Sequence, residues 1–139
     1  MSALYTPALL SLATELPSYR MDRAFDYTGQ ARSTTCGSTM EFGFDTNEQV
    51  IDAVGAKVMA CAIGQASAAI FLRSCKSFEP TCLSDLRDEV AGWLTGGERP
   101  RFPSLDMLEP AVEHQGRHGA IMLPWNAFCD ALGNRGTPR

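Results

Sequence analysis

At 139 residues the chain has the length of one domain, enough to bury a core without disulfides or a structural metal. Its 45% apolar and 20% charged content is that of an ordinary globular protein. A net charge of −4, with a pI near 5.1 and no basic stripe, argues against nucleic acid as a main partner, and no apolar run reaches the length of a membrane span.

The first residues lack a basic region ahead of an apolar one, so they do not read as an export signal. Thr6 is placed to cap a helix that begins at Pro7, and Leu9, Leu12, Ala13 and Leu16 recur at helical spacing until Pro17. Phe25 and Tyr27 alternate with Ala24 and Asp26, which predicts a short first strand ending near Gly29. Residues 30–35 form a polar approach to Cys36, placing that thiol on or beside a loop. Ser38, Met40, Phe42 and Phe44 then alternate at the period of a half-buried strand, and Val54, Ala56, Val58 and Ala60 do so again, running into Cys61. A turn near 45–48 would pair the two strands. The thiols of Cys36 and Cys61 would then meet at one end of a small antiparallel sheet.

From 62 to 74 the residues are mostly small helix formers, suited to a helix lying close against a sheet. A linker over 75–81, broken by Pro80, leads to a helix that Ser84 would cap, with Leu86, Val90, Trp93 and Leu94 as its apolar stripe and Gly96-Gly97 as its end. Residues 98–103 read as loop, and Leu105, Leu108 and Val112 mark a short helix after Ser104. The last helix carries Ile121, Trp125, Phe128 and Leu132 on one face, with Pro124 expected in its first turn. Residues 133–139 read as a frayed tail of a single domain spanning 1–139. The pattern as a whole is α+β: a three-stranded, mainly antiparallel sheet with helices packed mainly on one face.

The five cysteines, an odd number, fit reduced thiols in a cytoplasmic setting. Cys61, at a strand-to-helix junction, would face unpaired N–H groups and the positive end of the helix dipole, which predicts that it is the more acidic of the pair. Cys36 gains from exposure, and Gly37 allows close backbone approach. A bland alternative is that both are small residues packed at strand ends. Cys75, Cys82 and Cys129 are weaker candidates, the last of them expected to pack beside Phe128. No Ser-His-Asp set, phosphate loop or carboxylate pair rises above chance spacing, so the chain does not read as an enzyme, beyond an accessory role in sulfur transfer.

Cys36-Gly37 before an alternating strand, Ala60-Cys61-Ala62-Ile63-Gly64-Gln65-Ala66-Ser67 at the junction, and Arg117-x-x-Ala-Ile-Met-Leu-Pro-Trp125 together resemble the U-type iron–sulfur scaffold family. Its members are the NifU N-terminal-like, IscU-like and SufU-like proteins, and the long connection before Arg117 looks more SufU-like than IscU-like. The family usually has aspartate where this chain has Ser38, a third ligand cysteine where it has Ala120, and often histidine or lysine where it has Gly119.

The resemblance implies a scaffold or carrier that binds an iron–sulfur cluster or iron, or accepts sulfur, through Cys36 and Cys61, with a cysteine desulfurase and recipient apo-proteins as partners and a homodimer as one way to complete the ligand shell. Zinc is a further candidate, because Cys36, Cys61, His114 and His118 have the composition of a zinc site. His118 is the best placed to complete a set with the thiols. Ser38 and His114 are accessory candidates, and Arg117 is suited to holding an anionic persulfide or a partner carboxylate. The alternatives are a metal-free persulfide acceptor and an interaction or regulatory protein that keeps the fold without assembling clusters.

Overall fold

The computed structural model describes residues 4–134. The Thr6 hydroxyl accepts the Leu9 N–H at 3.1 Å and Pro7 occupies the first position of α1 (Pro7–Ser11), as the local signals require. The chain then tightens into a 3₁₀ stretch, Leu12–Ser18, that carries through Pro17. Leu9 and Leu12 are buried, so this segment serves the core.

Three strands, β1 (Tyr27–Arg32), β2 (Thr39–Asn47) and β3 (Val50–Met59), form an antiparallel sheet in the order β1-β2-β3. The β2–β3 hairpin turns at Glu48 and Gln49, both with positive φ (52° and 70°), a handedness that matches the twist of the flanking strands. Thr39 pairs with Met59, so the entrance to β2 and the exit of β3 share one end of the sheet.

The first strand starts later than its alternation suggests. Phe25 lies outside β1, and its ring packs on the outer face of the sheet over Gly43 and Gly55, which are paired with each other across β2 and β3. A Cβ at either glycine would run into that ring, so the two together make a notch that takes Phe25. Arg23 stacks over the same ring at 4.9 Å and pairs with Asp45 at 2.5 Å. Tertiary packing wins here over the short-range pattern, and Gly29 falls in mid-strand.

The other face is the core. α2 (Ala62–Ser74) and α5 (His118–Leu132) cover Met40, Phe42 and Phe44, and α3 (Pro80–Leu94) packs on α5. Phe42, Phe71, Trp125 and Phe128 meet ring to ring at 4.9–6.1 Å. α3 begins at Pro80 and not at Ser84, because a proline needs no N–H partner at a first helical position, so the residue read as a breaker is the start of the helix. The helix ends at Leu94, ahead of Gly96 with its positive φ. A 3₁₀ turn, Leu105–Leu108, leads into α4 (Glu109–Val112), where the short helix is expected.

Pro124 stands beyond the first turn of α5, contrary to expectation. An interior proline costs about 3 kcal/mol, whereas its neighbours Trp125 and Phe128 are fully buried, at about 1.5–3 kcal/mol each. Burial outweighs the penalty; Pro124 leaves the Ala120 carbonyl without its helical donor, and the next carbonyl, that of Ile121, accepts Ser67 Oγ at 2.6 Å. At the end of α5 the N–H groups of Gly133 and Asn134 bond back to Asp130 and Ala131, and the remainder of the tail lies outside the described residues. Among the described residues no helix is long and apolar enough to cross a membrane.

α5 sits directly on β1. A Cβ on Gly29 would collide with the backbone of Asp130 and Ala131, and the adjacent Gln30 N–H donates to Asp130 Oδ2 at 2.8 Å. Gly29→Ala is therefore expected to destabilise the fold by about 1–3 kcal/mol, the usual cost of overpacking, read as a lowered urea midpoint. An unchanged midpoint would contradict this contact.

Candidate functional site

Cys36 is held in a closed loop. The Ser33 N–H donates to the Ser38 carbonyl at 2.8 Å and the Gly37 N–H to the Ser33 carbonyl at 2.9 Å, with Gly37 at φ 74°, a conformation glycine adopts without strain. Cys36 is exposed at the tip of this loop, whereas Ser33 and Ser38 are only 3% exposed. Cys61 is the N-cap of α2, half-buried, and its side chain makes no capping hydrogen bond. The strand register thus brings the two cysteines to one end of the sheet.

The contact between them runs through Ser38. Its Oγ accepts the Cys61 N–H at 3.3 Å and lies 3.0 Å from Cys36 Sγ. A hydroxyl has one proton, so with the backbone N–H arriving from one side, the Ser38 O–H is free to donate to the sulfur on the other. Ser33 Oγ lies 3.4 Å from Cys36 Sγ, accepting from the thiol and turning to donate to the thiolate. Hydrogen bonds from Ser33 first and Ser38 next lower the Cys36 thiol to about 7. The expectation of an acidic thiol at Cys61 rested on its helix terminus, whereas the hydroxyls in this site act on Cys36. The acidified thiol in this site is Cys36, because two fixed hydroxyl dipoles reach its sulfur.

Arg117 closes the site from the N-terminal end of α5. Its guanidinium is held above its usual range chiefly by a hydrogen bond to the Tyr5 hydroxyl (3.5 Å), with Tyr5, Cys61 and Cys36 adding charge attraction. Its Nε–H is shut off from solvent and has no hydrogen-bond partner among the described residues. Arg117 therefore joins the two thiols.

The histidines do not join them in a metal-ligating group. His118 Nε2–H donates to the Val112 carbonyl at 2.6 Å, which turns that nitrogen away from ligation, and His114 is exposed ahead of the turn Gln115–Arg117. Among the described residues no three His, Cys, Asp or Glu side chains are grouped so as to hold a metal. The other cysteines lie elsewhere. Cys75 is buried, and burial pushes its thiol up to about 12; burial also raises Cys129, while Cys82 is exposed on α3.

Two structures similar to this chain describe its architecture. One is the N-terminal part of a NifU-like nitrogen-fixing protein from Brucella abortus, at 26% identity and TM-score 0.85, covering 94% of this chain and 92% of that one. This is the U-type scaffold fold. The other is a proposed iron–sulfur cluster assembly scaffold protein for the SUF system from Fervidobacterium islandicum AW-1, at 16% identity and TM-score 0.79, covering 93% and 96%. Both neighbours are consistent with the U-type scaffold family. No protein-family model matches the chain, and no curated protein does.

Within that fold, the departures at 119 and 120 have local physical reasons. A Cβ on Gly119 would lie 2.5 Å from Ser33 Oγ and 3.4 Å from Thr35 Oγ1, so a larger side chain there would displace the hydroxyl that serves Cys36. Ala120 is fully buried, its Cβ 3.6 Å from where a Cβ on Gly64 would stand, one turn into the helix that Cys61 caps. Ser33 is the residue that sequence reasoning missed. It sat in a polar stretch with no periodicity, and only its place three residues before Cys36, in a loop closed by Gly37, could have marked it.

With a thiol lowered to about 7, alkylation of Cys36 should rise with pH through the neutral range and reach half its limit near pH 7. Iodoacetamide labelling read by peptide mass should find Cys36 modified ahead of Cys82. Ser33→Ala and Ser38→Ala should each move the midpoint upward, and a shift of one unit would slow labelling at pH 7 about fivefold. Identical profiles in all three proteins would remove the hydroxyl argument.

Proposed function

We propose that this chain is a sulfur-accepting scaffold-like protein of iron–sulfur cluster assembly, with Cys36 as the acceptor thiol. The observation that carries this reading is the pair of serine hydroxyls aimed at an exposed, acidified cysteine. The Cys36 thiolate attacks the outer sulfur of a persulfide on a cysteine desulfurase. The donor S–S bond breaks, the donor cysteine leaves as a thiolate, and Cys36 carries the transferred sulfur as its own persulfide. That persulfide is an anion at neutral pH. Ser38 and Ser33 can donate to it, and Arg117, whose Nε–H has no partner among the described residues, supplies a positive group that attracts both thiols.

The five free thiols fit a reducing, cytoplasmic location, and the recipients of the sulfur or cluster are apo-proteins of iron–sulfur enzymes. A second reading, favoured by the meeting of two thiols, is that Cys36 and Cys61 also hold the iron–sulfur unit, or zinc, as cargo. Two thiolates fill half of a four-ligand shell, so the remainder would come from a second copy, a partner, His118 through Nδ1, or, less well, His114 or Ser38.

Incubating the reduced protein with a cysteine desulfurase and labelled cysteine should place reductant-labile sulfur on Cys36, with Cys36→Ser losing it and Arg117→Ala retaining it for a shorter time. Sulfur accumulating equally on Cys36→Ser would defeat the assignment. For the second reading, Ala120→Cys adds a thiol beside the first turn of α2. Cobalt(II) titration should then give tighter binding and stronger thiolate charge-transfer absorption than the parent, whereas an unchanged titration would mean that position 120 does not face the site.

A further inference from the structure

Cys36 and Cys61 share one hydroxyl: Ser38 Oγ touches the sulfur of the first and the backbone N–H of the second. The two cysteines thus flank one hydroxyl at the same end of the sheet. Cys36 is exposed on a loop, and Cys61 stands half-buried behind it at the cap of α2. One thiol open to solvent with a second in reserve is the layout of a reacting and a resolving cysteine. The other three cysteines offer no such pairing, since Cys75 is buried, and Cys82 and Cys129 lie on α3 and α5, away from this end of the sheet.

We propose that Cys36 and Cys61 form a peroxide-responsive dithiol that closes reversibly into a disulfide and so blocks the site. The sulfur of Cys36 attacks one oxygen of a hydroperoxide and the O–O bond breaks. The sulfur is oxidised by two electrons to a sulfenic acid, and the departing hydroxide or alkoxide takes up a proton. Cys61 then attacks the sulfenic sulfur; the S–S bond forms, the S–O bond breaks, and hydroxide leaves with the Cys61 proton as water. A dithiol reductant restores both thiols by exchange. Ser33 and Ser38 hold the reacting sulfur beside its resolving partner, and Gly37 lets the loop bend without strain. Closure removes the acceptor thiol, so the regulatory meaning rests on the sulfur-acceptor reading, while the oxidation chemistry stands by itself.

The test uses full-length reduced protein treated with hydrogen peroxide, blocked with N-ethylmaleimide and mapped by peptide mass. The parent should yield a Cys36–Cys61 disulfide within one chain, reversed by dithiothreitol. Cys61→Ser, which keeps a good N-cap residue, should stop at a Cys36 sulfenic acid trapped by dimedone. Cys36→Ser should form no disulfide and consume peroxide at least about tenfold more slowly. A disulfide to Cys82, one between two chains, or Cys36 passing to sulfinic acid while Cys61 stays free would each overturn the proposal. Sulfur transfer by the reduced parent separates the two readings: transfer without disulfide formation sinks only the switch, and disulfide formation without transfer sinks only the acceptor role.

Discussion

The hydroxyl of Ser38 is the point on which the site depends. It is buried between the loop that carries Cys36 and the cap of the helix that carries Cys61, and it touches both. Because it accepts the Cys61 N–H, its single proton is left for the sulfur of Cys36. The β2–β3 register brings Thr39 opposite Met59, the Ser33–Ser38 backbone bond closes the loop, and Gly119 lets α5 press against Ser33. Each of these positions one oxygen to within a few tenths of an ångström, which is the precision a hydrogen bond to sulfur demands.

Two effects compete to acidify the thiols. A helix terminus stabilises an anion by about 0.3–1 kcal/mol at an exposed site, whereas a hydrogen bond to a charged group contributes about 1.5–3 kcal/mol. Cys61 has the helix terminus, but its side chain makes no capping hydrogen bond. Cys36 has two hydroxyls. The larger effect falls on the residue with no helix behind it, and the same residue is the exposed one. Acidity and access coincide at Cys36.

The residues that differ from the usual U-type pattern make a consistent set. A carboxylate at 38 could accept the Cys61 N–H but could not donate to a thiolate, and its charge would oppose one. A side chain at 119 would push Ser33 out of reach. Ser38, Ser33 and Gly119 together place two hydroxyls on the Cys36 sulfur, while Ala120 packs toward Gly64. The cationic group at hand is Arg117, whose Nε–H has no acceptor among the described residues.

The sequence by itself determined the elements that rest on local chemistry: the Thr6-Pro7 helix start, the β2 alternation, the helix over 62–74 that follows Cys61, and the convergence of the two cysteines, since a hairpin of that length leaves their ends side by side. It also carried the motifs behind the family resemblance. Tertiary structure alone decided where β1 begins, because Phe25 is drawn out of the strand by a notch that two glycines, distant in sequence, make only when paired. It decided that Pro124 could stay inside α5, because the burial of Trp125 and Phe128 outweighs the break. And it decided that Cys36 is acidified, because a hydroxyl's effect on sulfur depends on a 3.0 Å separation inside a closed loop that no pattern of residue types records.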